Sequence, residues 1–142
     1  MKWLILIIPL IIGLVLINFS IEEKISINEV CIKQECFKVK LAITPEEKRT
    51  GLMNQTIKEN EGMLFIYNKE DYYNFWMKNT IQPLDIIWID KDLEIVDFIT
   101  AYPCSENCPI YTPSARSLYV LEISANKTNE LKIIKKEKVM IN

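Results

Sequence analysis

The sequence contains no histidine among its 142 residues. This excludes Ser-His-Asp and Cys-His triads, histidine-ligated zinc and imidazole acid–base chemistry. Glycine is nearly as scarce, with three in the whole chain. Asp90, Asp92 and Glu94 alternate in the manner of calcium ligands, but the glycine that such a loop needs is missing. An excess of positive charge is lacking too. The net charge of −2 gives no electrostatic reason to bind nucleic acid. No metal and no cofactor is expected from this composition.

Charge is also missing from one long stretch. Between Trp3 and Phe19 there is no charged residue, and Asn18 is the only strongly polar one. As a helix, residues 3–21 span about 28 Å, close to the roughly 30 Å hydrocarbon core of a bilayer. Pro9 and Gly13 are tolerated in such helices. We expect a membrane anchor over residues 1–21, a polar neck over 22–29 and an extracytoplasmic domain over 30–142. Lys2 and the terminal amine precede the helix and Glu22 and Glu23 follow it, so the N-terminus should stay in the cytoplasm. The alternatives are a buried core helix or a cleaved signal that releases a secreted domain. Asn18-Phe19-Ser20 makes a poor cleavage site.

The remaining chain suggests many short strands. Val30–Ile43 reads as a hairpin turning at Lys33-Gln34, which sets Cys31 opposite Cys36. Thr44-Pro45-Glu46-Glu47 is a capping box that starts a short helix ending near Gly51. Gly62–Tyr67, Leu93–Ala101, Ser117–Ser124 and Glu137–Ile141 read as strands, with a polar turn at Asn68–Asp71 and weak helix over Asn126–Lys135. Tyr102–Ser114 carries Pro103, Pro109 and Pro113 and must be a loop. The expected fold is mainly β with small helices, a compact antiparallel barrel-like or roll domain.

Asn74–Asp90 is the densest stretch. Its two halves are rich in aromatic and β-branched residues, with a turn expected at Thr80–Pro83. Lys78, Asn79 and Asp85 flank that turn beside Trp76. A lysine, an amide and a carboxylate around one rim form our candidate site, with Arg49 from the short helix. Glu122, alone in the apolar strand 117–124, must face solvent or find a partner. An Asp85–Glu122 carboxylate pair could serve a hydrolase, or each acid could pair with Lys78 or Arg116 to hold the fold.

Four cysteines allow three pairings. The hairpin register and an oxidising location favour Cys31–Cys36 with Cys104–Cys108. A four-thiolate zinc site and a redox-active Cys104/Cys108 pair are the alternatives. Asn54 and Asn126 each begin a glycosylation acceptor pattern.

Arg49-Thr-Gly-Leu-Met53, Gly62-Met-Leu-Phe65, Phe75-Trp-Met-Lys-Asn-Thr80, Pro83-Leu-Asp-Ile-Ile-Trp-Ile-Asp90 and Val120-Leu-Glu122 occur in this order. In these blocks the chain, over roughly Ile25–Ile141, resembles the domain of unknown function 192 family. The resemblance implies a small β-rich barrel-like fold, often exported behind a signal or anchor, and implies no reaction. Ala125-Asn126 and Lys136-Glu137 stand where the family has a glycine-bearing turn and a Gly-Asp pair, which bears on the register of the last strand.

Three functions fit these readings. The first is a tethered ligand-binding or structural module whose rim of Arg49, Trp76, Lys78, Asn79 and Asp85 holds a saccharide or another small polar ligand. Lys78 could instead neutralise an anionic one. The second is a hydrolase or lyase with Asp85 as base and Lys78 as electrostatic stabiliser. The third is a protein-interaction module without a small-molecule site.

Overall fold

The expected hairpin forms in the register read from the sequence. A computed structural model describes residues 26–142. In it β1 (Glu29–Ile32) pairs antiparallel with β2 (Glu35–Ala42), with Ile32 opposite Glu35 and Cys31 opposite Cys36. Lys33 takes φ 56° to make the turn. The two cysteine sulfurs lie at disulfide distance, as do those of Cys104 and Cys108, and no described cysteine is free. Both cysteine pairs are thus accounted for locally, and no thiolate is left for a zinc site. The expected membrane segment 3–21 lies outside the described residues. Among those described, no helix is long and apolar enough to cross a membrane.

Helix α1 (Pro45–Thr50) starts on the expected capping box. The Thr44 hydroxyl accepts from the Glu47 N–H, and the Glu47 carboxylate accepts from the Thr44 N–H at 2.9 Å. The Thr44 N–H, together with the Ile43 N–H that donates to the same carboxylate at 2.8 Å, holds the Glu47 carboxyl below its usual range. Gly51 ends the helix at φ 47° and ψ −133°, a conformation that a side chain disfavours.

The crossover through α1 makes β2 and β3 (Glu61–Asp71) parallel, with Lys38 opposite Glu61 and Ala42 opposite Phe65. It is the one parallel pair among the described strands, and every other pairing is antiparallel, in keeping with the mainly antiparallel fold expected. Asn68–Asp71, expected as a turn, continues β3 past a bulge that follows Ile66. The other strands are β4 (Leu84–Ile89), β5 (Ile95–Ala101), β6 (Ser117–Ser124) and β7 (Val139–Ile141), with a one-turn helix α2 (Lys127–Glu130) between the last two. The seven strands form one sheet in the order β5-β4-β6-β3-β2-β1-β7. It curls into a half-barrel. Its two edges meet at one end, where Glu94 bridges Lys138 and the Ile95 N–H donates to the Glu137 carbonyl at 2.9 Å.

Two cores result. Val30, Phe37, Leu64, Ile87, Ile95, Leu121 and Val139 come from all seven strands and fill the inside of the curl. Met63, Phe65, Ile86, Trp88 and Val120 point the other way. That outer face would be wet without a cover. The segment 72–83 supplies the cover. Phe75 packs edge-on against Phe65 and Trp88, and Met77 is fully buried. The buried Trp88 indole donates to the Tyr73 carbonyl at 2.8 Å. This is why all six β4 residues are buried. The first half of Asn74–Asp90 is therefore not a strand, as had been expected. It is an irregular cover held by isolated bridges, Phe75 to Tyr111, Lys78 to Cys104 and Thr80 to Met53.

Gly62 sits where β3 and β6 touch. A Cβ there would lie 2.6 Å from the Glu122 carbonyl oxygen and 3.0 Å from Ile123 Cγ2. The carbonyl oxygen belongs to the β6 backbone and cannot move without opening the ladder. Gly62→Ala should therefore cost about 3 kcal/mol in urea unfolding. A loss below about 0.5 kcal/mol would show that the sheet yields there.

Candidate functional site

The cover, α1 and β6 meet around one recess. Its floor is Glu122, set mid-strand opposite Met63 of β3 and Ile86 of β4. Phe65 and Phe75 form apolar sides, and the last turn of α1 with Gly51 and Leu52 forms the opposite wall. The Asn54 N–H donates to the Asn79 carbonyl at 2.9 Å, which ties the exit of α1 to the cover. Lys48, Arg49 and Lys78 stand at the mouth with Thr50, Thr80 and Trp76. The cavity is about 30 Å³, room for about two waters.

Glu122 is 4% exposed, and no described residue forms a hydrogen bond or ion pair with its side chain. Burial alone raises its carboxyl pKa to about 8. It is therefore mostly protonated at neutral pH, a hydrogen-bond donor at the bottom of a cationic mouth. Burial, followed by the charges of Tyr73 and Glu122, also raises the pKa of the Tyr67 hydroxyl. Tyr67 stacks on Tyr73 and carries Lys48 Nζ 4.3 Å above its ring. Partial burial lowers the pKa of Lys48. Lys78 Nζ lies 5.3 Å from the centre of the Trp76 ring, a cation–π distance. Lys48, Arg49 and Lys78 take part in none of the ion pairs among the described residues.

The sequence-derived site is therefore split. Arg49, Trp76, Lys78 and Glu122 come together. Asp85 does not join them, and the single rim expected around the turn is corrected. Strand alternation sends Asp85 to the inner face, with Ile87 and Ile89. It is fully buried there and accepts from Thr100 Oγ1 at 2.6 Å, the Thr128 N–H at 2.7 Å and Thr128 Oγ1 at 2.9 Å. Asn126 gives α2 no side-chain cap, and Asp85 supplies the acceptor instead. Asp85 pairs with Ile123 and Glu122 with Ile86, so the two carboxylates project from opposite faces. They cannot share a substrate, and a hydrolase with Asp85 as base has no base at the recess. Neither acid pairs with Lys78 or Arg116 either. Asn79 serves the backbone: at φ 56° it donates its N–H to the Cys104 carbonyl at 2.9 Å. Asp90 Oδ1 accepts from the Asp92 and Glu94 N–H groups, so this carboxylate closes a turn.

Sequence reasoning passed over Lys48, Thr50 and Thr80. Lys48 and Thr50 flank Arg49 on a helix read only for its cap. Thr80 lay in the turn itself. Nothing in their local pattern says that the cover folds back onto α1.

The fold and recess define a class: a small β half-barrel that holds an unpaired acid beneath a cationic mouth. The chain belongs to the domain of unknown function 192 family, whose model, described as an uncharacterized ACR, matches residues 28–141. It is similar to a protein of unknown function from Novosphingobium aromaticivorans DSM 12444, with 32% identity and a TM-score of 0.71. That match covers 80% of this chain and 84% of the other. It is also similar to a proposed transcription regulator from Sinorhizobium meliloti 1021, at 28% identity and TM-score 0.72, covering 80% and 90%. No curated protein matches.

Proposed function

We propose that this domain binds a small anionic ligand in the Glu122 recess, and that it does so tethered outside the membrane by residues 3–21. One observation carries the binding reading. Lys48, Arg49 and Lys78, which form no ion pair among the described residues, converge on a cavity whose floor is the buried Glu122 carboxyl, itself without a hydrogen-bond partner. An anion there gains charge-assisted hydrogen bonds from the mouth and a donor from the floor. The uncharged, largely apolar run over residues 3–19 and the two cysteine pairs support the location.

The test uses the full chain in detergent, titrated with acetate and with inorganic phosphate by NMR. Saturable shifts are expected at Lys78 and Gly51. Arg49→Ala and Lys78→Ala should each weaken binding about fivefold to tenfold, with melting temperature unchanged. Both side chains are exposed, so folding should tolerate their loss. Shifts that never saturate, or that ignore both substitutions, would end this reading.

A further inference from the structure

Trp76 and Lys78 line two concavities at once. One is the recess, and the other is a groove outside it, walled by Ser105 to Cys108 and by Ile110. The groove is about 450 Å³, against about 30 Å³ for the recess. The larger volume falls within the roughly 300–1,000 Å³ of small-molecule sites. The smaller one takes a compact charged group but no ring.

We propose that the ligand is an acidic saccharide, whose carboxylate enters the recess while its sugar ring lies in the groove against Trp76. This rests on the anion-binding reading above and names the class of anion. The groove's surface is mixed in the way a sugar's is. Trp76 is 42% exposed and Ile110 57%, offering apolar contact to the C–H face of a ring. Ser105, Glu106 and Asn107 supply a hydroxyl, a carboxylate and an amide for ring hydroxyls. A simple aliphatic acid would use none of these groups.

The wall is also held in place before any ligand arrives. The Cys104–Cys108 disulfide closes the loop. The Cys104 N–H donates to the Met77 carbonyl at 3.2 Å, and the Asn79 N–H to the Cys104 carbonyl at 2.9 Å. The loop is thus fixed to the same cover that presents Trp76 and Lys78. A site fixed in advance loses less affinity to ordering. A carboxylate in the recess and a ring in the groove must be joined past Trp76 and Lys78.

The experiment titrates the full chain in detergent with D-glucuronate, D-glucose, acetate and acetyl-dialanine. It reads dissociation constants by calorimetry and the Trp76 indole N–H by NMR. Glucuronate should bind at least about tenfold more tightly than acetate, with the Trp76 indole shifted, and glucose should not saturate. Trp76→Leu, which keeps bulk and removes the ring face, should bring the preference for glucuronate over acetate close to one. Ile110→Ala, which touches only the groove, should reduce it. Equal affinity for glucuronate and acetate would overturn the saccharide proposal and leave the anion-binding reading standing. Tighter binding of acetyl-dialanine than of glucuronate would place a peptide in the groove and overturn it too. If no carboxylate binds, both readings fall together.

Discussion

Replacing Asp85 with alanine should destabilise the domain by about 3–5 kcal/mol, enough to unfold most small domains at moderate temperature. The carboxylate is fully buried and accepts three hydrogen bonds. Alanine leaves the buried Thr128 N–H and hydroxyl without an acceptor and removes the partner of the half-buried Thr100 hydroxyl. It also uncaps α2, which leads into β7, the strand at the closing edge of the sheet. Asn keeps an acceptor oxygen, so Asp85→Asn should lose only about 1–2 kcal/mol. Acetate binding by the folded Asp85→Asn chain should equal that of the parent, because the residue lies on the face away from the recess. Urea unfolding and the acetate titration check the two halves of this prediction. A stable Asp85→Ala chain that has lost anion binding would show that Asp85 acts in the site rather than in the fold.

The second large effect concerns pH. The Glu122 carboxyl has a folded pKa of about 8, against an ordinary 4.5. The folded state therefore holds its proton more tightly than the unfolded state does. The corresponding stability is fully present below about pH 4.5, is lost progressively as pH rises to about 8, and stays lost above. Other carboxyl groups titrate at the acid end of that window. The informative quantity is thus the difference between the parent and Glu122→Gln, which carries no titrating proton. That difference should swing against the parent by roughly 4 kcal/mol between pH 4.5 and pH 9. Anion affinity should follow the same proton. Acetate binding to the parent should weaken as pH passes about 8, where a carboxylate on the floor would repel it, and Glu122→Gln should show no such fall. A flat difference curve would mean that Glu122 is charged and partnered in solution.

Much of this was legible locally. Cys31 could be set opposite Cys36 because a two-residue turn leaves one register for a short hairpin. The helix at Pro45 was readable because Thr44 and Glu47 complete each other's hydrogen bonds within four residues. Glu122 could be marked as unusual because a lone acid in Leu118–Ile123 has no polar neighbour in sequence. The first half of Asn74–Asp90 was misread because aromatic alternation suits a strand and also suits any extended segment lying on an apolar face. Phe75 and Met77 do point inward, and Trp76 and Lys78 outward. Only a ladder partner is missing, and alternation carries no information about partners.

Asp85 shows the same limit more sharply. Its nearness to Lys78 in the chain suggested a shared rim. Which face of β4 turned toward the curl depended on strands far away in sequence. What the chain settles by itself is local hydrogen bonding and the alternation of side chains along each segment, because both depend on neighbours a few residues apart. Tertiary structure alone decided that the cover folds over β4, that Asp85 would anchor α2, and that Glu122 would end beneath three cations. Those outcomes depend on which distant surfaces exclude water from one another, and no short stretch of sequence contains both surfaces.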